Sequence, residues 1–135
     1  MNIKTVELEF KKDEEGIGMV DITRPVEHSV VDSLINNGIV TISSANPNVC
    51  VTTMEFEPGA KKDLQDAFER IAPKSAHEPK GHHEMQDIRP SLLGPSITIP
   101  FKDNRIMVGK WQQIVMIDFD GAENRKKIVV QIMGE

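Results

Sequence analysis

The sequence predicts a mainly β protein: an antiparallel β-sandwich with two helices laid on its surface. Three observations carry that expectation. Apolar residues fall mostly in short runs that alternate with polar ones, the period-2 signature of half-buried strands. Turn-forming stretches such as "KKDEEG", "SANPN", "KDN" and "DGAEN" separate the runs. Only two segments place apolar residues at helical spacing, too few for the alternating helices of a parallel sheet.

In chain order, "TVELEF" sets Val6, Leu8 and Phe10 on one face and Thr5, Glu7 and Glu9 on the other, as an outer strand requires. In "DITRPVEHSVVDSLINNG", Thr23 stands where it can cap a helix whose first turn accepts Pro25 and carries Glu27. Val26, Val30, Leu34 and Ile35 share the buried face, Gly38 supplies the stop, and His28 falls on the wet side. "GIVTISS" and "NVCVTTMEFE" read as strands. A second helix follows in "PGAKKDLQDAFERIAP", with Ala60, Leu64, Ala67, Phe68 and Ile71 as core and Pro73 as its end. Pro73, Pro79, Gly81 and Pro90 then break regular structure. "SITIP", "RIMV", "WQQIVMIDF" and "KIVVQIM" are the closing strands. In "WQQIVMIDF", Trp111, Val115, Ile117 and Phe119 lie on one face and Ile114 and Met116 on the other, so it asks for burial twice. Exposed edges and a limited core favour covering one face by self-association.

A chain of 135 residues suits a single domain spanning 1–135. The net charge of −5, with basic and acidic residues interleaved, argues against nucleic acid, and "ENRKK" reads as a solvated turn. No apolar run reaches the roughly 18 residues of a membrane span, and the opening "MNIKTVELEF" lacks a signal-peptide core. A soluble cytoplasmic protein without membrane partners is expected. Cys50 has no second cysteine to pair with, and its apolar setting makes it a buried, inert thiol.

Potential chemistry concentrates in "AHEPKGHHEMQD", residues 76–87, which holds three of the four histidines. His77, His82 or His83, and Asp87 would give two imidazoles and a carboxylate, a set suited to zinc or a similar divalent ion with one open position. Glu55 or Glu84 would then serve as base for a bound water. The spacing matches no compact zinc motif, and a solvated polar loop explains the same residues. Ser91 and Ser96 flank "LLGP" without a nucleophile elbow, which disfavours serine hydrolase chemistry.

"MVDIT", "NNGIVTI", "SLLGPSITIPFKDNRIMVGKWQQIVMIDFDG" and "KIVVQIMGE" together resemble the YjbQ-like family, the secondary thiamine-phosphate synthases. The resemblance implies a jelly-roll-like sandwich that assembles as a homotrimer with polar clefts between subunits. It also implies a histidine cluster, from which this chain departs. Asn46 and Asp87 stand at two of the three expected histidine positions, and His77 matches the third. Glu55 keeps an expected acid beside Met54, and Lys110 replaces threonine in "GKWQ".

The implied reaction joins a pyrimidine diphosphate to a thiazole phosphate and expels pyrophosphate, which calls for cations or a divalent metal such as zinc or magnesium. His77, Asp87 and Glu55 are then the catalytic candidates, and Asn46, Arg89, Lys110, Gln112 and Ser91 the substrate-binding ones, with Arg105 a further cation. His77, His82, His83 and Asp87 are the metal candidates. The implied partners are other copies of the chain and a small phosphorylated ligand. Two alternatives stand beside this reading: a non-catalytic homotrimeric binding protein with a degenerate site, and a metal-dependent hydrolase using His82 and His83.

Overall fold

The computed structural model describes residues 1–14, 16–73, 88–120 and 124–135. Along the chain run β1 (Asn2–Phe10), β2 (Gly18–Asp21), α1 (Thr23–Ser33), β3 (Gly38–Ser44), β4 (Val49–Met54) and α2 (Pro58–Ile71). A short α3 (Pro90–Leu93), β5 (Ser96–Lys102), β6 (Arg105–Ile106), β7 (Gln113–Asp118) and β8 (Lys126–Gly134) follow. Every strand pair is antiparallel, and the strands form a five-stranded sheet ordered β1-β8-β3-β5-β6 and a three-stranded sheet ordered β2-β7-β4.

Alternation in the strands builds the core between the two sheets. Val40 and Ile42 of β3 and Ile128, Val130 and Ile132 of β8 face Val51, Ile114 and Met116 of the smaller sheet, all fully buried. The opposite face of that smaller sheet carries Cys50, Val115, Ile117 and Phe119, which pack against Phe68 of α2. The doubly apolar β7 is therefore buried on both sides within its own chain and makes no demand for a partner.

Trp111 is not part of that strand. It precedes β7, which starts at Gln113, and is 66 % exposed. "RIMV" also shortens, to Arg105–Ile106, and Met107 is exposed.

The helices start and stop by local chemistry that differs from the expectation. Thr23 is the first residue of α1 rather than its cap. The Asp21 carboxylate Oδ1 accepts from the Thr23 amide at 3.0 Å and from its hydroxyl at 2.6 Å. That hydroxyl in turn accepts from the Ile114 amide at 2.8 Å, which ties the helix start to β7. At the other end Leu34 adopts a left-handed conformation (φ 62°), turning its side chain into solvent while Ile35 stays buried. Gly38 is the first residue of β3, not the stop. Ile71, expected in the core, is likewise exposed at the last position of α2, whereas His28 is exposed as expected.

Two close approaches fix the strand ends. Asp103 and Asn104 both have positive φ (51° and 65°), the pattern of a type I′ turn between β5 and β6. The Asn104 side-chain amide donates to the carbonyls of Val30 at 2.9 Å and Ile35 at 2.8 Å, satisfying the end of α1. Gly38 lies opposite Gly134. A Cβ on Gly38 would sit 1.9 Å from the Met133 carbonyl oxygen, and one on Gly134 1.9 Å from that of Asn37.

Cys50 is buried as expected, and loss of water pushes its thiol from an ordinary value of 9.0 up to about 12. The unfolded chain then releases this proton first. Stability should be unaffected by Cys50 below pH 9 and fall by roughly 1.4 kcal/mol per pH unit between 9 and 12. Urea unfolding at pH 8, 9.5 and 10.5 should give Cys50→Ala a shallower decline than the parent; equal slopes would refute this.

Candidate functional site

The connection from β3 to β4 is held by Asn46. Its side-chain Oδ1 accepts from the Asn48 amide at 2.8 Å, and its carbonyl accepts from the Val49 amide at 3.1 Å. The Ser44 hydroxyl accepts from the Asn46 amide at 3.1 Å. Against this turn lies the α3 segment. The Ser44 amide donates to the Pro95 carbonyl at 2.8 Å and the Val51 amide to that of Gly94 at 3.4 Å. Between the two segments Asn46 and Ser91 line a cavity of about 210 Å³, walled by Pro47, Val49, Pro90 and Pro95.

Arg89, one residue before α3, is 4 % exposed. Its guanidinium carbon lies 5.0 Å from the centroid of the Phe119 ring, and Nη1 is 4.0 Å from a carboxylate oxygen of Glu69 on α2. Phe119 meets Phe68 edge-on, with centroids 5.0 Å apart. Such stacking suits a planar, delocalised cation, which loses less hydration on burial than an ammonium.

Glu55, Lys110 and Gln112 occupy the other end of the smaller sheet. The β4–β7 ladder runs from Val49 opposite Asp118 to Met54 opposite Gln113, so its six-residue strand spans about 17 Å. Asn46 precedes one end of β4 and Glu55 follows the other. The Gln113 side chain fixes the start of the Glu55–Glu57 bend by accepting from the Phe56 amide at 2.8 Å. Gln112 Oε1 accepts from the Gly109 amide at 2.9 Å, and the Lys110 ammonium lies 5.1 Å from the Trp111 ring centroid. Glu55, Lys110 and Gln112 are all exposed. Arg105 joins neither group; with Glu27, Val31 and Asn104 it borders a separate cavity of about 320 Å³ beside α1.

The model of the family described as UPF0047 protein YjbQ-like matches residues 6–135. The chain belongs to the YjbQ-like family. It is 29 % identical to UPF0047 protein YugU of Bacillus subtilis, with 98 % of this chain and 99 % of YugU covered. A UPF0047 protein of Methanocaldococcus jannaschii is 30 % identical over 87 % of this chain and 86 % of its own length. Among solved structures, a YbjQ-like protein of unknown function from Sulfolobus solfataricus superposes with a TM-score of 0.84 at 25 % identity, covering 99 % of this chain and 100 % of that one. A hypothetical protein from Aeropyrum pernix reaches the same TM-score, 0.84, at 20 % identity, with 98 % and 99 % covered, and shares the fold.

In this YjbQ-like chain the structure therefore brings Asn46, Ser91 and Arg89 to one end and leaves Glu55, Lys110 and Gln112 at the other. His77, His82, His83, Glu84 and Asp87 lie outside the described residues. Among the described residues no three of His, Cys, Asp and Glu converge on a common point, so they supply no complete divalent-metal cradle.

One polar cluster at the Asn46 end escaped the sequence reading. Lys126, expected in a solvated turn, begins β8 and is 3 % exposed. Its ammonium lies 3.0 Å from Asp118 Oδ2 and 3.5 Å from Asp120 Oδ2, and donates to the Asn124 carbonyl at 3.3 Å. Lys12 is equally buried, donating to the carbonyls of Asp120 and, at 2.6 Å, Gly16. The signal was in the period: Lys126 is in phase with Ile128, Val130 and Ile132, all inward-facing.

Proposed function

We propose that this YjbQ-like protein is a cytoplasmic homotrimer that carries out thiamine-phosphate-type or related phosphate-ester chemistry in a cleft between subunits. His77, Asp87, Glu55, Asn46, Arg89 and Lys110 line that cleft in this reading. One observation supports it above the others: the described candidates, Asn46 and Arg89 against Glu55 and Lys110, divide between opposite ends of the β4–β7 ladder, about 17 Å apart. A second copy brings the two halves together. Arg89 and Lys110 then offer positive charge to phosphate oxygens, while Ser91 and Asn46 orient the ligand. A metal, where one is used, would be held by His77, His82 or His83, and Asp87, and would neutralise leaving-group charge.

The test is formation of thiamine phosphate from the pyrimidine diphosphate and the thiazole phosphate, with zinc or magnesium supplied in turn. Lys110→Met is exposed and should fold normally, yet lower kcat/KM at least tenfold. Product no faster than buffer alone, or a Lys110→Met variant as active as the parent, would overturn the reading.

The Asn46 turn favours one competing account. Its Oδ1 is engaged by the Asn48 amide, a structural task at a position where the family resemblance implies a histidine. A non-catalytic binding trimer follows if that task has replaced the chemistry. Asn46→His combined with Asp87→His should abolish turnover in a re-tuned enzyme and create it in a degenerate one.

A further inference from the structure

The geometry points to a binding site for a free amino acid with an apolar side chain, in the cavity beside α1, where Glu27 takes the ammonium group and Arg105 the carboxylate. The site shares no residue with the cleft proposed above and does not depend on it.

Two opposite charges border this cavity without using each other. Glu27 lies on α1 and Arg105 begins β6, and both line the same space of about 320 Å³. Both are exposed, and among the described residues neither side chain makes a hydrogen bond or an ion pair. Elsewhere on the surface such groups do close on each other: Lys62 meets Asp66 at 2.9 Å, and Lys127 meets Glu7 at 3.3 Å. Arg105 also has Lys102 as its cross-strand partner, a like charge that repels it. An arriving carboxylate would relieve that repulsion.

Separated charges of opposite sign around one cavity match a zwitterion. A guanidinium receives a carboxylate through two parallel hydrogen bonds, and the Glu27 carboxylate accepts from an ammonium. A phosphate or a dicarboxylate would instead set like charge against Glu27, and a diamine would set it against Arg105. The remaining walls fit the rest of an amino acid. Val31 stands one helical turn after Glu27 on the same face of α1, and Ile106 is half-buried against the core, so the apolar lining is firm. Asn104 spends its side-chain N–H groups on the carbonyls of Val30 and Ile35, at 2.9 and 2.8 Å. Its Oδ1 has no donor among the described residues and is the second acceptor for the ammonium. The volume is at the low end of the roughly 300–1,000 Å³ of small-molecule sites, which suits a single amino acid.

The test titrates L-leucine, L-methionine and L-phenylalanine in turn into the intact protein, followed by calorimetry and by the methyl NMR signals of Val31 and Ile106. At least one should saturate with a Kd of about 1 mM or tighter and shift both sets of signals. Its N-acetyl derivative lacks the ammonium and its methyl ester lacks the carboxylate, so each should bind about tenfold or more weakly. Glu27→Gln should weaken the free amino acid by a similar factor and leave the N-acetyl derivative unchanged, because the charge that Glu27 faces is already gone. Arg105→Gln should do the same with the methyl ester. Both positions are exposed, so the variants should fold normally. No saturation by about 10 mM with any of the three, unmoved Val31 and Ile106 signals, or variants that weaken amino acid and derivative alike would each overturn the assignment.

Discussion

A Lys126→Met variant is expected to lose about 3–5 kcal/mol of stability, because it strands the Asp118 carboxylate without its cation. Asp118 is fully buried, and Lys126 is its partner at 3.0 Å. The two side chains come from the facing sheets and close one end of the core, where both are shielded from solvent. For a domain of this size the melting temperature should fall by roughly 10–20 °C. Adding Asp118→Asn should recover part of the loss, since the amide oxygen can still accept from the Asp120 amide, a bond of 2.9 Å in the parent. Urea denaturation of both single variants and the double variant measures the coupling. A Lys126→Met protein as stable as its parent would show that the pair contributes nothing.

Gly38→Ala should be at least as damaging, by about 4 kcal/mol or more, because the obstruction is backbone. Its new methyl would meet the Met133 carbonyl oxygen at 1.9 Å and the Gly134 Cα at 2.8 Å. Neither atom can move without opening the β3–β8 ladder. The adjoining bonds between Asn37 and Glu135, 2.9 Å in each direction, would open with it. Gly109→Ala is the natural control, because the three atoms nearest its methyl all belong to the Gln112 side chain, whose Oε1 at 2.9 Å can swing aside. Hydrogen exchange should show β3 and β8 amides losing protection in the first variant and not in the second. Normal protection in Gly38→Ala would refute the steric argument.

The strands were legible because period-2 alternation reflects a local fact, that successive side chains point to opposite faces. Most errors fell where a local pattern outlasted its element. The helical spacing runs on through Leu34, yet the left-handed residue that ends α1 is Leu34 itself. The apolar alternation of β7 extends back to Trp111, but the turn at Gly109–Gln112 holds that residue outside the strand. Lys126 was read by its charged neighbours when its phase within the strand was the better guide. For the site, the family resemblance and the phosphate chemistry it implies pointed to Asn46, Ser91 and Arg89, which lie at one end of the sandwich. The separation of Glu55 and Lys110 from them is set by the register of β4 on β7, a long-range pairing that spacing along the chain does not encode.

The burial of Cys50 has a practical side. A thiol that is shut away from solvent and held in its protonated form at neutral pH is silent toward maleimides, so the native chain needs no cysteine-free background. A cysteine introduced at exposed Lys110 or exposed Pro47 would be the sole reactive handle. A donor dye on one batch and an acceptor on the other would turn the two ends of the sandwich into a ruler for how copies of this chain meet.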